Sequence, residues 1–85
     1  MANNEVSLSA EIKDLLDKVE DKSCKEYVDG LYTLMCAYEA EGHLGKAFGV
    51  ANEFKRRYVE DDEFVTEKMI RTAYDVCARA GDFES

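Results

Sequence analysis

The sequence predicts an all-α fold of about four helices, arranged as antiparallel hairpins of an α-solenoid. Apolar residues recur at spacings of three and four, and nowhere do they alternate with period two for more than a few residues. The chain has no proline to interrupt a helix. Residues 32–44 are echoed by residues 71–83, with Gly42 and Gly81 standing 39 positions apart. A fixed period of this length is typical of a helical-hairpin array.

The length of 85 residues fits one domain or a piece of a larger protein. We assign residues 1–6 to a flexible N-terminus and residues 7–85 to a single helical-repeat domain, or to a fragment of a longer repeat array. No stretch approaches the roughly 20 apolar residues that a membrane span needs. The first residues have neither the basic start of a secretion signal nor the Arg-rich bias of an organelle presequence. We therefore expect no membrane partner.

The charge balance and the cysteines narrow the function classes further. The formal net charge is −8, from 19 carboxylates and 11 Lys and Arg residues, so the surface as a whole repels phosphate backbones. This counts against nucleic acid as a partner of this segment alone.

The three cysteines Cys24, Cys36 and Cys77 have no C-x-x-C pairing, which fits neither a disulfide framework nor a zinc site. We expect reduced, partly buried thiols.

The first helix is predicted over about residues 9–21, with Ser7 or Ser9 as its cap. It carries one apolar stripe, formed by Leu8, Ile12, Leu15, Leu16 and Val19. The second helix is predicted to start at a capping box, in which Ser23 and Glu26 each bond the other's backbone amide. Gly30 lies inside this helix and is interpreted as a tolerated weak spot, costing about 1 kcal/mol relative to alanine.

Two apolar stripes run along the second helix. The inner one comprises Tyr27, Leu31, Leu34, Met35 and Tyr38, and the neighbouring one comprises Val28, Tyr32 and Cys36. A helix with two apolar sides is expected to be covered on both, as in a stack of helices. Gly42 is predicted to end the helix as a left-handed cap.

The third helix is predicted over about residues 44–58. Its predicted inner face comprises Leu44, Ala47, Phe48, Ala51, Phe54 and Tyr58. Because only one to three residues connect it to the second helix, the two should form an antiparallel hairpin. The fourth helix is predicted to begin near Asp61 or Asp62, whose charges suit a helix N-terminus, and to end at Gly81.

Residues 31–48 resemble the first helix, the glycine turn and the start of the second helix of a pentatricopeptide-repeat hairpin. Residues 54–57 match the bulky apolar residue and basic end of that second helix, and residues 77–83 are similar to the turn of a following repeat. The resemblance covers roughly residues 28–83. Tetratricopeptide repeats share much of the pattern but need small residues where this chain has Met35 and Phe54. The repeat of 39 is about four residues longer than is usual for pentatricopeptide repeats, and the extra length falls in residues 58–64.

The resemblance implies an RNA-binding module of an organellar RNA-processing, translation or ribosome-associated protein, in a mitochondrial or plastid matrix. In that family one residue early in the first helix and the final residue of the repeat select a base. These positions correspond to Tyr32 and Arg71, and to Thr66 or Asp62. Tyr32 and Arg71 are not the small amide or hydroxyl residues that the family prefers, so no base can be assigned. The partner would be single-stranded RNA, in a larger complex.

The cluster of Lys55, Arg56 and Arg57 has two interpretations. These side chains can contact phosphates, or they can stabilise the negative end of the third helix. The single histidine, His43, lies in a turn without partners at catalytic or metal-ligand spacing. Residues 60–63 are acidic but lack the ligand pattern of a calcium loop. No catalytic motif is present, so we expect no enzyme activity, no cofactor, no metal and no small-molecule substrate.

The negative charge favours a different function, that of a tetratricopeptide-like protein-interaction scaffold that does not bind RNA. Such a scaffold would hold a helix or strand of a partner in the groove between the second and fourth helices. In that case we expect a cytoplasmic protein.

Overall fold

The computed structural model describes residues 7–84, with side chains described as far as Gly81. The prediction for residues 1–6 lies outside this range. Four helices make up the described chain: α1 (Leu8–Asp17), α2 (Lys25–Ala40), α3 (Leu44–Val59) and α4 (Glu67–Glu84). Residues 7–84 contain no strand. The prediction of an all-α fold with about four helices is therefore confirmed.

The helices pack in chain order. Each contacts the next, and the contact between α3 and α4 is the most extensive. Phe54 is fully buried at the centre of a single core, to which all four helices and the α3–α4 connection contribute. The core side chains are Leu16, Val28, Leu31, Leu34, Met35, Tyr38, Ala47, Ala51, Phe54, Val65, Met69, Ile70, Ala73 and Val76.

The start and the end of α1 show how local hydrogen bonds set helix limits. Ser7 caps α1, as predicted, by accepting a bond from the Ala10 amide at 3.2 Å. The helix ends at Asp17, and its predicted extension to residue 21 is wrong. The Lys22 ammonium donates to the Leu16 carbonyl oxygen at 3.1 Å, so a side chain takes the place of another helical turn.

The predicted capping box at the start of α2 is wrong. The helix begins at Lys25 with Cys24 as its N-cap, and no side chain bonds the cap. The Ser23 hydroxyl and amide both donate to Asp21 Oδ1, at 2.7 and 3.0 Å, and these bonds lower the pKa of Asp21. Asp21 thus engages Ser23 in a local turn of its own, which competes with the helix for the serine.

Gly30 lies where α2 packs against α1. A β-carbon at this position would lie 2.5 Å from Leu16 Cδ2, the end of a flexible side chain that would have to shift to make room. The helix continues through Gly30, as predicted. The helix-propensity cost of this glycine is about 1 kcal/mol relative to alanine.

Gly42 ends the α2 capping turn in the predicted left-handed conformation, with φ of 82°. The Gly42 amide donates to the Glu39 carbonyl at 3.1 Å, and the His43 amide donates to the Tyr38 carbonyl at 2.8 Å. These two bonds together form a Schellman motif. Three residues then connect α2 to α3, which runs from Leu44 to Val59, within one residue of the prediction.

The α3–α4 connection contains the largest errors of prediction. Asp61 and Asp62 do not start α4. Asp61, with φ of 62°, closes α3 in a second Schellman motif, in which the Asp62 amide donates to the Arg57 carbonyl at 2.9 Å. The fourth helix begins at Glu67, where the Thr66 hydroxyl accepts from the Met69 amide at 3.2 Å. It continues through Gly81, so the predicted end at Gly81 is also wrong.

Asp61 offers a direct test of this turn. We expect Asp61→Gly to raise the free energy of unfolding by about 0.5–1 kcal/mol, because glycine adopts a positive φ without the steric penalty of a β-carbon. Urea denaturation followed by circular dichroism measures the difference. Asp61→Ala, which keeps the β-carbon and loses the polar group, should be less stable than Asp61→Gly. Equal stabilities of the two variants would argue against a left-handed residue at this position.

Candidate functional site

The basic cluster of α3 does not form one cationic surface. Arg57 is only 8% exposed, whereas Tyr58, which was predicted to face inward, is 50% exposed. The prediction of Tyr58 as an inner residue is therefore wrong, because Arg57 occupies the buried face at this end of the helix. Burial of a guanidinium requires hydrogen-bond partners, and three N–H groups of Arg57 have them.

Three acceptors surround Arg57. Its Nε donates to Glu53 Oε2 at 2.8 Å, its Nη1 to Asp62 Oδ2 at 3.1 Å, and its Nη2 to the Lys22 carbonyl oxygen at 2.8 Å. The guanidinium carbon also lies 5.5 Å from the centroid of the Tyr27 ring. We call Lys22, Glu53, Arg57 and Asp62 the Arg57 cluster. It joins the α1–α2 connection to α3 and to the α3–α4 connection.

The carboxylate of Glu53 holds two arginines at once. Arg56 Nη2 lies 2.6 Å from Glu53 Oε2, and Arg56 Nη1 also donates to Glu60 at 3.0 Å. Burial raises the pKa of Glu53, but the hydrogen bonds from Arg56 and Arg57 outweigh this, and the net pKa lies below its ordinary value. Both arginines are thus neutralised by carboxylates of their own chain.

Lys55 points to a different neighbour. Its ammonium lies 5.4 Å from the centroid of the Tyr74 ring and 3.9 Å from Cys77 Sγ, so it covers the α3–α4 face. The three residues predicted as phosphate contacts therefore face three environments: the α4 surface, the exposed acidic edge of α3, and the buried Arg57 cluster.

The four candidate RNA-contact residues are also dispersed. Tyr32 is half-buried, with its ring 6.4 Å from that of Phe54, and its hydroxyl lies 3.4 Å from Thr72 Oγ1. Arg71 is exposed and pairs with Glu67 at 3.3 Å. Asp62 is bound by Arg57 and accepts from the Phe64 amide. Thr66 caps α4. Tyr32 therefore lies beside Thr72, the residue that follows Arg71. Asp62 and Thr66 instead form hydrogen bonds within the α3–α4 connection and at the start of α4.

An open cleft of about 1140 Å³ lies where the α1–α2 and α3–α4 connections meet. Seven carboxylates and four cations line it, and two of those cations are Arg56 and Arg57. An excess of carboxylates attracts cations and repels phosphate groups. Within the described residues, no group of three or more His, Cys, Asp or Glu side chains is arranged to hold a metal ion.

A second concavity has the opposite character. It has a volume of about 490 Å³ and follows α2 between α1 and α3. Its apolar lining comes from Tyr27, Leu34, Tyr38 and Val50. Lys13 and Lys46 stand on its two sides, and Glu53 and Gly49 complete it on α3. We call this concavity the α2 groove. Sequence analysis missed it, although the two apolar sides of the second helix were a usable signal.

A carboxylate outside both concavities fixes α1 against the α2–α3 turn. Glu41 accepts the Ser9 hydroxyl at 2.6 Å and the Ser9 amide at 3.1 Å, and His43 Nε2 lies 3.6 Å away. The hydrogen bond from the Ser9 hydroxyl is the main cause that lowers the pKa of Glu41. The bond from the Ser9 amide lowers it further, and the nearby His43 has a smaller effect in the same direction.

We expect this interaction to make stability depend on pH. Because the folded-state pKa of Glu41 is lowered, its contribution is complete above the ordinary value of 4.5 and is lost as the pH falls through the folded-state pKa. The difference in unfolding free energy between wild type and Glu41→Gln should therefore shrink in acid. Urea titrations at a series of pH values, from neutral to strongly acidic, measure it. If the difference in unfolding free energy between the two proteins does not change with pH, the Glu41 carboxylate does not stabilise the fold through Ser9.

Comparison of the chain with family models, with curated proteins and with solved structures gives no match. No helix in the described part of the chain has the length and hydrophobicity needed to cross a membrane.

Proposed function

We propose that this chain is a non-catalytic protein-binding module built on a helical-repeat plan. The observation that carries the proposal is the internal neutralisation of Arg56 and Arg57 by Glu53, Glu60 and Asp62. An RNA-binding surface depends on cations that are free to replace counterions on phosphates. In this chain two of the three cations of the main cluster are already paired with carboxylates, and the net charge is −8.

Two contacts between α2 and α4 support the repeat plan. Tyr32 lies beside Thr72, and Glu39 forms an ion pair with Arg79. Each pair is separated by 40 residues, close to the sequence period of 39. Equivalent positions of successive repeats are neighbours in a stacked helical array. The continuation of α4 through Gly81 counts against a second copy of the glycine turn, so the support covers the first hairpin and the helix after it.

A protein partner fits the charge and the shape better than RNA does. The α2 groove exposes parts of Tyr27 and Val50, beside the buried Leu34 and Tyr38. Apolar grooves typically receive side chains from a partner's helix or extended segment. The exposed Arg71 is the strongest feature in favour of RNA, because its ion pair with Glu67 is exposed and weak. A single available cation is a small electrostatic footprint for RNA. RNA binding, and the organellar location that it would imply, thus rest on the sequence resemblance.

A selection experiment tests the proposal. The full chain is immobilised and presented with a random peptide display library, and peptides that also bind Phe54→Ala, which we expect to be largely unfolded, are discarded. We expect the remaining peptides to converge on a shared pattern and to bind in solution as synthetic peptides. In parallel, single-stranded RNA is titrated at low salt. RNA binding that weakens steeply with salt, without any selected peptide, would overturn the proposal.

A further inference from the structure

The α2 groove is a positively charged site on an acidic protein. Lys46 is exposed, and no carboxylate of the side chains described in residues 7–81 lies within ion-pair distance of it. Its ammonium lies 5.8 Å from the centroid of the Tyr38 ring, directly beside the apolar lining. Lys13, on the other side, pairs with Asp17 through an exposed contact at 3.3 Å. Exposed pairs of this kind are weak and exchange readily.

The one carboxylate in the groove does not cancel these cations. Glu53 is held by Arg56 and Arg57, both of which lie beyond the groove's apolar lining. Lys13 and Lys46 are therefore the charges that an occupant of the groove would meet. Complementary charge at this position would come from a carboxylate of the occupant.

Gly49 suggests how closely an occupant can approach. It lies in the interior of α3 and is exposed, and an added β-carbon would meet no side chain or neighbouring element of the described chain within 4 Å, apart from its adjacent residues. Glycine at such a position costs up to about 1 kcal/mol relative to alanine, and no contact within the described chain requires it. The absence of a side chain leaves the α3 wall of the groove open to another backbone.

We propose that the α2 groove binds a short peptide segment of a partner protein that combines one large apolar side chain with a neighbouring carboxylate. The apolar side chain packs mainly against the half-buried Tyr27 and Val50, since Leu34 and Tyr38 are nearly fully buried in the groove lining. The carboxylate contacts Lys46, and a longer peptide would place a carboxylate beside Lys13. This inference rests on the proposed function and specifies the site and the ligand chemistry. At about 490 Å³ the groove lies within the size range of protein ligand pockets.

The test uses a panel of fluorescein-labelled synthetic peptides and the full chain. The central residue of the peptide is leucine, phenylalanine or alanine, and its neighbours are glutamate, glutamine or lysine. Fluorescence anisotropy gives the dissociation constants at low and high salt. We expect the glutamate-flanked leucine or phenylalanine peptide to bind most tightly, and its advantage over the glutamine-flanked peptide to shrink at high salt.

Two pairs of variants locate the binding. Gly49→Leu adds a bulky side chain to the groove at a position where a β-carbon has open space, and should weaken binding by about tenfold or more. Gly81→Leu makes the same change at another exposed helical glycine and should leave binding unaltered. Lys46→Glu should weaken binding of the acidic peptide about fivefold or more, whereas Lys68→Glu, on the exposed surface of α4, makes the same charge change outside the groove and should have little effect.

The outcomes separate this inference from the function on which it rests. If peptides selected by the chain bind Gly49→Leu and Lys46→Glu as well as wild type, the α2 groove is not the site, while the protein-binding function stands. If lysine-flanked peptides bind more tightly than glutamate-flanked ones, the proposed ligand chemistry is wrong. If no peptide binds and RNA does, both proposals fall.

Discussion

Replacement of Arg57 by methionine is expected to lower the free energy of unfolding by about 3–5 kcal/mol. Methionine keeps much of the buried hydrocarbon stem, but it leaves the Glu53 and Asp62 carboxylates and the Lys22 carbonyl without the donor that they share. Glu53 keeps Arg56 and Asp62 keeps the Phe64 amide. The expected loss therefore comes from the removal of the buried cation that the two carboxylates share and of the donor to the Lys22 carbonyl. Urea or guanidinium denaturation followed by circular dichroism measures it.

Arg56→Met is the matched control, since it changes the adjacent arginine. Arg56 is about half exposed, so its ion pairs with Glu53 and Glu60 should contribute less than about 1 kcal/mol. A phosphate-binding role for the basic cluster would predict that both variants fold stably and both lose RNA binding. Equal, small losses of stability would show that the Arg57 cluster does not join the helices as described.

Phe54→Ala is expected to cost about 3–5 kcal/mol, a large part of the stability of a domain of this size. The ring has no exposed surface and packs edge to face against Tyr32, with centroids 6.4 Å apart. Its removal leaves a cavity at the point where α2, α3 and α4 meet, and the small residues Ala47 and Ala51 beside it on α3 cannot fill the space. Thermal unfolding followed by circular dichroism, with a fit for any unfolded fraction at low temperature, measures the effect.

Phe48→Ala provides the comparison on the same helix, because Phe48 is only half-buried. Its cost should be clearly smaller, in proportion to the smaller area that it removes from water. If Phe48→Ala were as damaging as Phe54→Ala, the centre of the core would lie elsewhere.

The parts of the fold that depend on local geometry could be predicted from the sequence. Gly42 follows an apolar helix and precedes another, and the left-handed cap that this pattern predicts is present with φ of 82°. The bounds of α3 follow equally well from its apolar spacing. The all-α class follows from the same periodicity and from the absence of proline.

The errors occur where the same residue types serve two structures. Aspartate is favoured both in the first turn of a helix and in left-handed turns, and at Asp61 the turn is formed. Ser23 has the spacing of a helix cap but donates to Asp21 instead. Gly81 matches Gly42 in sequence, yet α4 continues through it, because a glycine permits a helix stop but does not impose one.

The candidate site was harder to predict, because it depends on contacts between distant segments. Nothing local indicates that Arg57 rather than Tyr58 is buried, since the choice depends on Lys22 and Asp62 from two other connections. The α2 groove likewise requires side chains from three helices. The sequence supplied the apolar positions of α2, but the partial coverage of one side is a property of how α1 and α3 pack beside it.

We propose that Lys55, Arg56 and Arg57 stabilise this chain and that neither they nor Arg71 bind a nucleic acid. An amide-shift titration of the isotopically labelled full chain with single-stranded RNA at low salt is the decisive experiment. We expect the amide signals of these four residues not to move as RNA is added. Saturable shifts at these residues, lost at high salt, would contradict it.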